Sequence, residues 1–218
     1  MLYIHTSMYL KRKEITLKKS KEEAEKTRQA LLEAALDVFS EKGFAKSTFD
    51  EIAQRAGFTK GAIYWYFKNK ADLLSALIVE YVHRKQLEIE RSLPKGNTLE
   101  DLIHYFMVWA KVGKDDARFA KFHRFILCQM EWSETIIDKV ERNIIELKNF
   151  HLEKINKVLV QCQENGELKD DVDINKVQHI IMSDYMGVIF SFLSKRFEYD
   201  VVDMVRSNLE LLIAGIKK

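Results

Sequence analysis

From Lys21 onward apolar residues recur every three or four positions, the spacing of helices that turn one face to a core. Leu31, Leu32, Ala35, Leu36, Val38 and Phe39 form the first stripe, and Gly43 is placed to stop it. Thr48 opens Thr-Phe-Asp-Glu, a capping box in which Glu51 reaches back to the Thr48 backbone. The short helix it starts carries Ile52 and Ala53 and ends at Gly57. Thr59 caps a second short helix, Lys-Gly-Ala-Ile-Tyr-Trp-Tyr-Phe, and a further start lies near Asn69 to Asp72. The helix that follows lines up Leu73, Leu74, Leu77, Ile78, Tyr81 and Val82, and Pro94 with Gly96 marks its end. Beyond Pro94 the pattern predicts helices over 99–113, 116–130, 133–165, 173–196 and 200–216. The third of these is striped by Ile137, Val140, Ile144, Leu147, Ile155, Val158, Leu159 and Cys162. The last two are apolar on more than one side, which predicts burial on two sides.

Composition agrees with that pattern. One Pro and eight Gly in 218 residues are too few for the turns of a sandwich or barrel, so the fold class is all-α. Two cysteines, Cys128 and Cys162, exclude a disulfide framework and read as small buried hydrophobes. The longest apolar run, near Ile180 to Leu193, is broken by Ser183 and Asp184, and no secretory signal precedes the first helix. A cytoplasmic, reducing location is the expectation. Residues 1–70 carry 14 Lys+Arg against 9 Asp+Glu, while the remainder is mildly acidic, so one end is suited to a polyanion. Residues 1–20 read as a flexible basic arm (Lys11, Arg12, Lys13, Lys18, Lys19), 21–70 as a small basic domain and 71–218 as a helical body.

Thr48 to Phe67 has the anatomy of a helix-turn-helix, two short helices joined at Gly57, whose lack of a Cβ admits the left-handed corner. Ala53 is small where the helices meet, and Ile52, Phe58, Ile63 and Phe67 are the expected core between them. Lys60, Gly61, Ala62, Tyr64, Trp65 and Tyr66 are left around the outside of a helix little more than two turns long. Three outward aromatics on so short a helix make sense against DNA, where hydroxyls and ammonium groups meet phosphates and apolar faces meet thymine methyls.

The run Thr-Phe-Asp-Glu-Ile-Ala-Gln-Arg-Ala-Gly-Phe-Thr-Lys-Gly-Ala-Ile-Tyr-Trp-Tyr-Phe-Lys-Asn-Lys-Ala-Asp-Leu-Leu, within a match from Thr27 to about Leu74, resembles the DNA-binding domain of TetR/AcrR transcriptional repressors. The resemblance implies a three-helix reading head, an all-α ligand-binding body, a homodimer and a palindromic operator. It also implies roles: Thr48, Thr59, Lys60, Tyr64, Tyr66 and Lys70 at phosphates, and Gly61, Ala62 and Trp65 toward bases. Trp65 stands where His is frequent in the family.

In the body the expected ligand-lining positions are Phe106, Trp109, Phe122, Phe125, Met130, Asp184 and Tyr185, with Trp132 and Met186 as further candidates. A carboxylate at Asp184 is costly to bury alone. It faces a cationic ligand, pairs with a basic residue such as His123 or Arg124, or sits at a dimer seam. Gly187, Val188, Ser191, Phe192, Leu209, Leu212 and Ile213 are the expected seam, with Ser194 extending the row of small residues. The six histidines have no metal-ligand spacing, and no nucleophile, base or phosphate loop is positioned for catalysis, so neither a metal, a cofactor nor an enzymatic activity is expected. The expected function is a dimeric repressor released from its operator by a small hydrophobic or cationic ligand. The alternative is a DNA-binding protein of the same fold controlled by a protein partner.

Overall fold

The computed structural model describes residues 2–93, 96–195 and 198–218. Among these it holds nine α-helices and one π-helical turn: α1 Leu2–Lys42, α2 Phe49–Arg55, α3 Lys60–Tyr66, α4 Lys70–Ser92, α5 Leu99–Asp115, α6 Ala117–Arg124, the π-turn Phe125–Gln129, α7 Glu134–Glu164, α8 Ile174–Leu193 and α9 Val201–Ile216. The chain divides into two units, Met1–Leu73 and Leu74–Lys218. The only extended pairing among the described residues is an isolated bridge between Leu168 and Lys217.

The first unit is built on the stripe of α1, whose Leu31, Leu32, Ala35, Leu36 and Phe39 are buried. Phe49, Ile52 and Ala53 of α2, Ile63 of α3 and Phe67 join them. Gly43 and Gly57 both take positive φ, +81° and +78°, the conformation that ends a helix cheaply only at glycine. The helix expected from Lys21 begins at Leu2, so the backbone of residues 2–20 continues α1.

In the second unit α5 packs chiefly on α9 and α7 on α8, with α8 also against α9. Leu102, Tyr105, Phe106 and Trp109 of α5, Phe119 and Phe122 of α6, Ile155, Val158 and Leu159 of α7, Ile181 and Tyr185 of α8, and Val205 and Leu209 of α9 form its core. The helix expected over 116–130 instead widens into a π-turn after Arg124. Ser133 occupies the N-cap of α7 as expected, but its side chain makes no capping bond. The Pro94 boundary and the side chains of Ile144 and Leu147 lie outside the described residues. Cys162 is buried, whereas Cys128 is exposed rather than core.

Candidate nucleic-acid interface

The capping box forms as the sequence dictates. The Thr48 hydroxyl oxygen accepts from the Glu51 backbone N–H at 3.2 Å, and Glu51 Oε2 accepts from the Thr48 N–H at 3.0 Å. Thr59 caps α3 less tightly, accepting from the Ala62 N–H at 3.4 Å. The corner between the helices is close: the Phe58 N–H donates to the Ala53 carbonyl at 2.8 Å, leaving little room for a larger residue at 53. Phe58 itself, expected in the core, is 36% exposed, because the left-handed Gly57 turns the chain outward there.

One turn of α3 is anchored by buried Ile63, and the rest is open. Trp65 is 75% exposed and Tyr64 54%. Lys60 and Gly61 are exposed as well, and Ala62 is half-buried. Tyr66 is half-buried with the Trp65 ring edge-on to it at 4.6 Å, while the Phe49 ring lies 5.1 Å from Tyr64. An indole this exposed on a helix of seven residues is a surface made to be covered.

The cations are less free than their number suggests. Lys60 Nζ pairs with Asp50 at 2.9 Å, which holds the Lys60 pKa above its ordinary value. Arg55 grips Glu41 with two hydrogen bonds, 2.9 and 2.8 Å, and Lys42 pairs with Glu51. Lys70, expected at a phosphate, is engaged within the protein. Its ammonium donates to the carbonyls of Phe44 at 2.8 Å, Ala45 at 2.9 Å and Ser47 at 2.8 Å, and stands 5.0 Å from the Phe44 ring centre. An ammonium has three protons, and all three are used inside the protein. Partial burial lowers the Lys70 pKa. Lys70 therefore pins the loop between α1 and α2 to the first turn of α4, where the sequence suggested a phosphate contact. Lys46 and Lys68 were missed by sequence reasoning. Both are exposed and carry no ion pair among the described residues. Each sits in a loop flanking the short helices, and that position beside the motif is the signal that was available.

The body residues singled out in the sequence separate into core and surface. Phe106, Trp109, Phe122, Phe125 and Tyr185 are all buried, Met130 half-buried. Trp132, half-buried, donates its indole N–H to the Ile126 carbonyl at 3.3 Å, and Met186 is half-buried. Tyr105, Trp109, His151 and Phe150 assemble one aromatic cluster, joined through Phe106 to Tyr185 at 4.7 Å. A separate cleft of about 30 Å³ is lined by Glu80, Tyr81, Arg84, Lys85, Asp116, Arg118 and Phe119, and in it Lys85 reaches Asp116 at 2.7 Å. Asp184 meets neither His123 nor Arg124. Its Oδ1 accepts from the Asn208 amide of α9 at 2.8 Å, and Oδ2 is unpartnered.

Three of the expected seam residues, Val188, Leu209 and Ile213, are buried within the single chain. Ser191, Phe192 and Leu212 are half-buried, and Gly187 is exposed. The apolar surface left on these helices is Ile180, Phe190 and, most of all, Leu211 at 74%. Among the described residues no three His, Cys, Asp or Glu side chains are grouped to hold a metal ion, and no helix is long and apolar enough to cross a membrane.

An open, aromatic recognition helix after a capped short helix, ahead of an all-α body, defines a helix-turn-helix DNA-binding regulator. The comparisons make this specific. Residues 31–77 match the family model described as bacterial regulatory proteins, tetR family, and residues 112–215 match one described as the YsiA-like protein, C-terminal region. The chain belongs to the TetR/AcrR family and is a transcriptional regulator rather than an enzyme. It is 29% identical over 191 residues to the probable acrEF/envCD operon repressor of Escherichia coli K12, covering 84% of each chain. It is 26% identical over 187 residues to the fatty acid metabolism regulator protein of Bacillus subtilis, covering 85% of this chain and 93% of that one. Its fold is similar to that of the transcriptional regulator FadR from Bacillus subtilis in complex with stearoyl-CoA (TM-score 0.72, 24% identity, 86% of this chain and 98% of that one).

Proposed function

We infer that the protein is a homodimeric repressor that sits on a palindromic operator and is released when a small apolar molecule enters its body. The observation that carries the DNA half is the exposure of α3, with Trp65 open and Lys60 and Tyr64 beside it. In this reading Gly61, Ala62 and Trp65 face base edges. Thr48, Thr59, Lys60, Tyr64 and Tyr66 meet phosphates, joined by Lys46 and Lys68. A single head offers few contacts, so two heads on one duplex are needed for useful affinity.

The dimer seam in this reading lies on Ile180, Ser183, Gly187 and Phe190 of α8 and Ser207, Leu211 and Ala214 of α9. These positions follow three- and four-residue spacing and are exposed. A Cβ added at Gly187 meets no atom within 4 Å of the same chain, so the glycine answers no need of the protomer itself. Two neighbours support the ligand half in their names, one a regulator of fatty acid metabolism and one holding stearoyl-CoA.

The test is fluorescence anisotropy with an operator duplex selected from a random-sequence library by the protein and a scrambled duplex, at several salt concentrations. The wild type prefers the operator. Trp65→Ala loses about 1–3 kcal/mol of that preference with the salt slope unchanged. If Trp65→Ala treats the two duplexes as the wild type does, α3 is not the reading helix.

A further inference from the structure

The seven residues of α3 include no Arg, Asn, Gln, Asp or Glu, the side chains that distinguish guanine, adenine and cytosine by directed hydrogen bonds. Its one charged residue, Lys60, is paired with Asp50 of α2 at 2.9 Å. What the helix presents instead is carbon. Gly61 and Trp65 are exposed and Ala62 is half-buried, and their spacing of three and four residues sets all three on one face. The Trp65 indole stands edge-on to the Tyr66 ring at 4.6 Å, a contact that limits how it can swing. Its single polar atom, Nε1, donates a hydrogen bond and cannot accept one.

Gly61 is out of place by the needs of the fold. Glycine is among the poorest helix formers, and α3 is only seven residues long. The residue does not have the positive φ of Gly43 and Gly57. A Cβ added there meets only the Thr59 hydroxyl oxygen, at 3.9 Å, an ordinary contact. Alanine would therefore fit and would favour the helix. A missing side chain on the outer face has a use when another surface must come closer than a Cβ allows.

Of the four bases only thymine carries a methyl group into the major groove, and beside that methyl its O4 accepts a hydrogen bond. An apolar face whose one polar atom is a donor matches that pair of features. The N4 amino group of cytosine finds no side-chain acceptor among Gly61, Ala62 and Trp65.

We propose that α3 reads thymine methyl groups: Gly61 lets its backbone close on the base edges, and Ala62 and Trp65 cover the methyls of thymines at the core of each half-site. This rests on the DNA-binding reading above and specifies which bases the helix selects.

The experiment uses the full chain and the operator that it selects from a random-sequence library. Each thymine of that operator is replaced in turn by deoxyuridine, which lacks only the methyl. Wild-type affinity is expected to fall about fourfold for each methyl that is read, the contribution of one buried methyl. The same step is expected between cytosine and 5-methylcytosine placed at those positions. Trp65→Ala or Ala62→Gly is expected to abolish the step at the thymine it covers, which an effect of duplex shape would not do. Gly61→Ala is expected to raise the urea midpoint of the first unit while weakening operator binding about tenfold or more, the scale of an overpacked contact. Wild-type affinity unchanged by deoxyuridine at every thymine overturns the proposal, as does a loss that both variants keep in full. A Gly61→Ala protein that binds the operator like the wild type overturns the close approach. A selection that returns no preferred sequence discards sequence reading altogether, and this proposal with it. A preferred operator without a methyl step keeps the repressor and discards the methyl-reading face.

Discussion

Replacing Lys70 by Met removes an ammonium and keeps most of the stem. Three carbonyls, those of Phe44, Ala45 and Ser47, then lose their donor at 2.8–2.9 Å. Hydrogen bonds to a charged donor contribute about 1.5–3 kcal/mol each, which sets a ceiling of several kcal/mol. Two corrections lower it. The Ala45 carbonyl is exposed, so water replaces the ammonium there. The ammonium also gives up hydration on its way in, as its lowered pKa records. A net loss of about 2–4 kcal/mol is the result, a large part of the ~5–15 kcal/mol that holds a domain together. Urea unfolding followed by α-helical circular dichroism reads this as a lower midpoint for the first unit. Lys70→Arg does not restore it, because a planar guanidinium fork does not converge on three carbonyls as a tetrahedral ammonium does. Binding to operator and scrambled duplexes weakens together, with the slope of log K against log salt unchanged. A variant of wild-type stability whose slope flattens by about one unit per half-site refutes the reasoning and returns Lys70 to the phosphates.

Lys46→Ala and Lys68→Ala are expected to flatten the same slope, by up to about one unit per half-site each, without a change in urea midpoint. Leu211→Arg places a charge on the most exposed apolar residue of α9 and is expected to halve the mass seen by sedimentation at micromolar concentration. A wild type that already sediments as a monomer removes the basis for this. His123 and His151 are both held down to about 4 by burial. The unfolded chain then binds the extra protons first, so the second unit is fully stable above about pH 6.5 and loses stability as pH falls toward 4. The loss amounts to about 3 kcal/mol for each ring, as an upper figure. His151→Phe is expected to remove its share of that acid sensitivity, and a urea midpoint equally acid-sensitive in the variant contradicts it.

The helices and their caps were legible because each is encoded locally. Thr48 with Glu51, Thr59 ahead of α3 and glycine at 43 and 57 are read within four residues of the feature they make. The helix α3 was legible for the same reason, since seven residues with one buried Ile63 leave Lys60, Gly61, Tyr64 and Trp65 exposed. What was hidden depends on chain far away. Lys70 meets carbonyls 23 to 26 residues earlier, and Asp184 meets Asn208 24 residues later. Nothing in either neighbourhood announces the partner. In α8 and α9 the pattern told that two sides are apolar but not which side the protomer keeps. Val188, Leu209 and Ile213 went inward, and the outward stripe fell to Ile180, Phe190 and Leu211. The π-turn at Phe125–Gln129 left no mark in the three- and four-residue spacing, since one extra residue in a single turn is too short to show.

The internal pairing of cations in the reading head bears on how a repressor finds its site. Random duplex outnumbers any operator by many orders of magnitude, and attraction to it is almost wholly ionic. Lys60 must trade Asp50 for a phosphate rather than simply acquire one. Arg55 and Lys42 are engaged with Glu41 and Glu51, and the Lys70 ammonium is hydrogen-bonded to the protein's own backbone carbonyls. Each such exchange returns less free energy than the capture of a phosphate by an unpaired lysine. In the reading proposed above, the head is expected to have a weak hold on wrong sequences and to leave them quickly. On the function proposed above, dwell at the operator comes from the uncharged contacts of α3, which only the right bases complete.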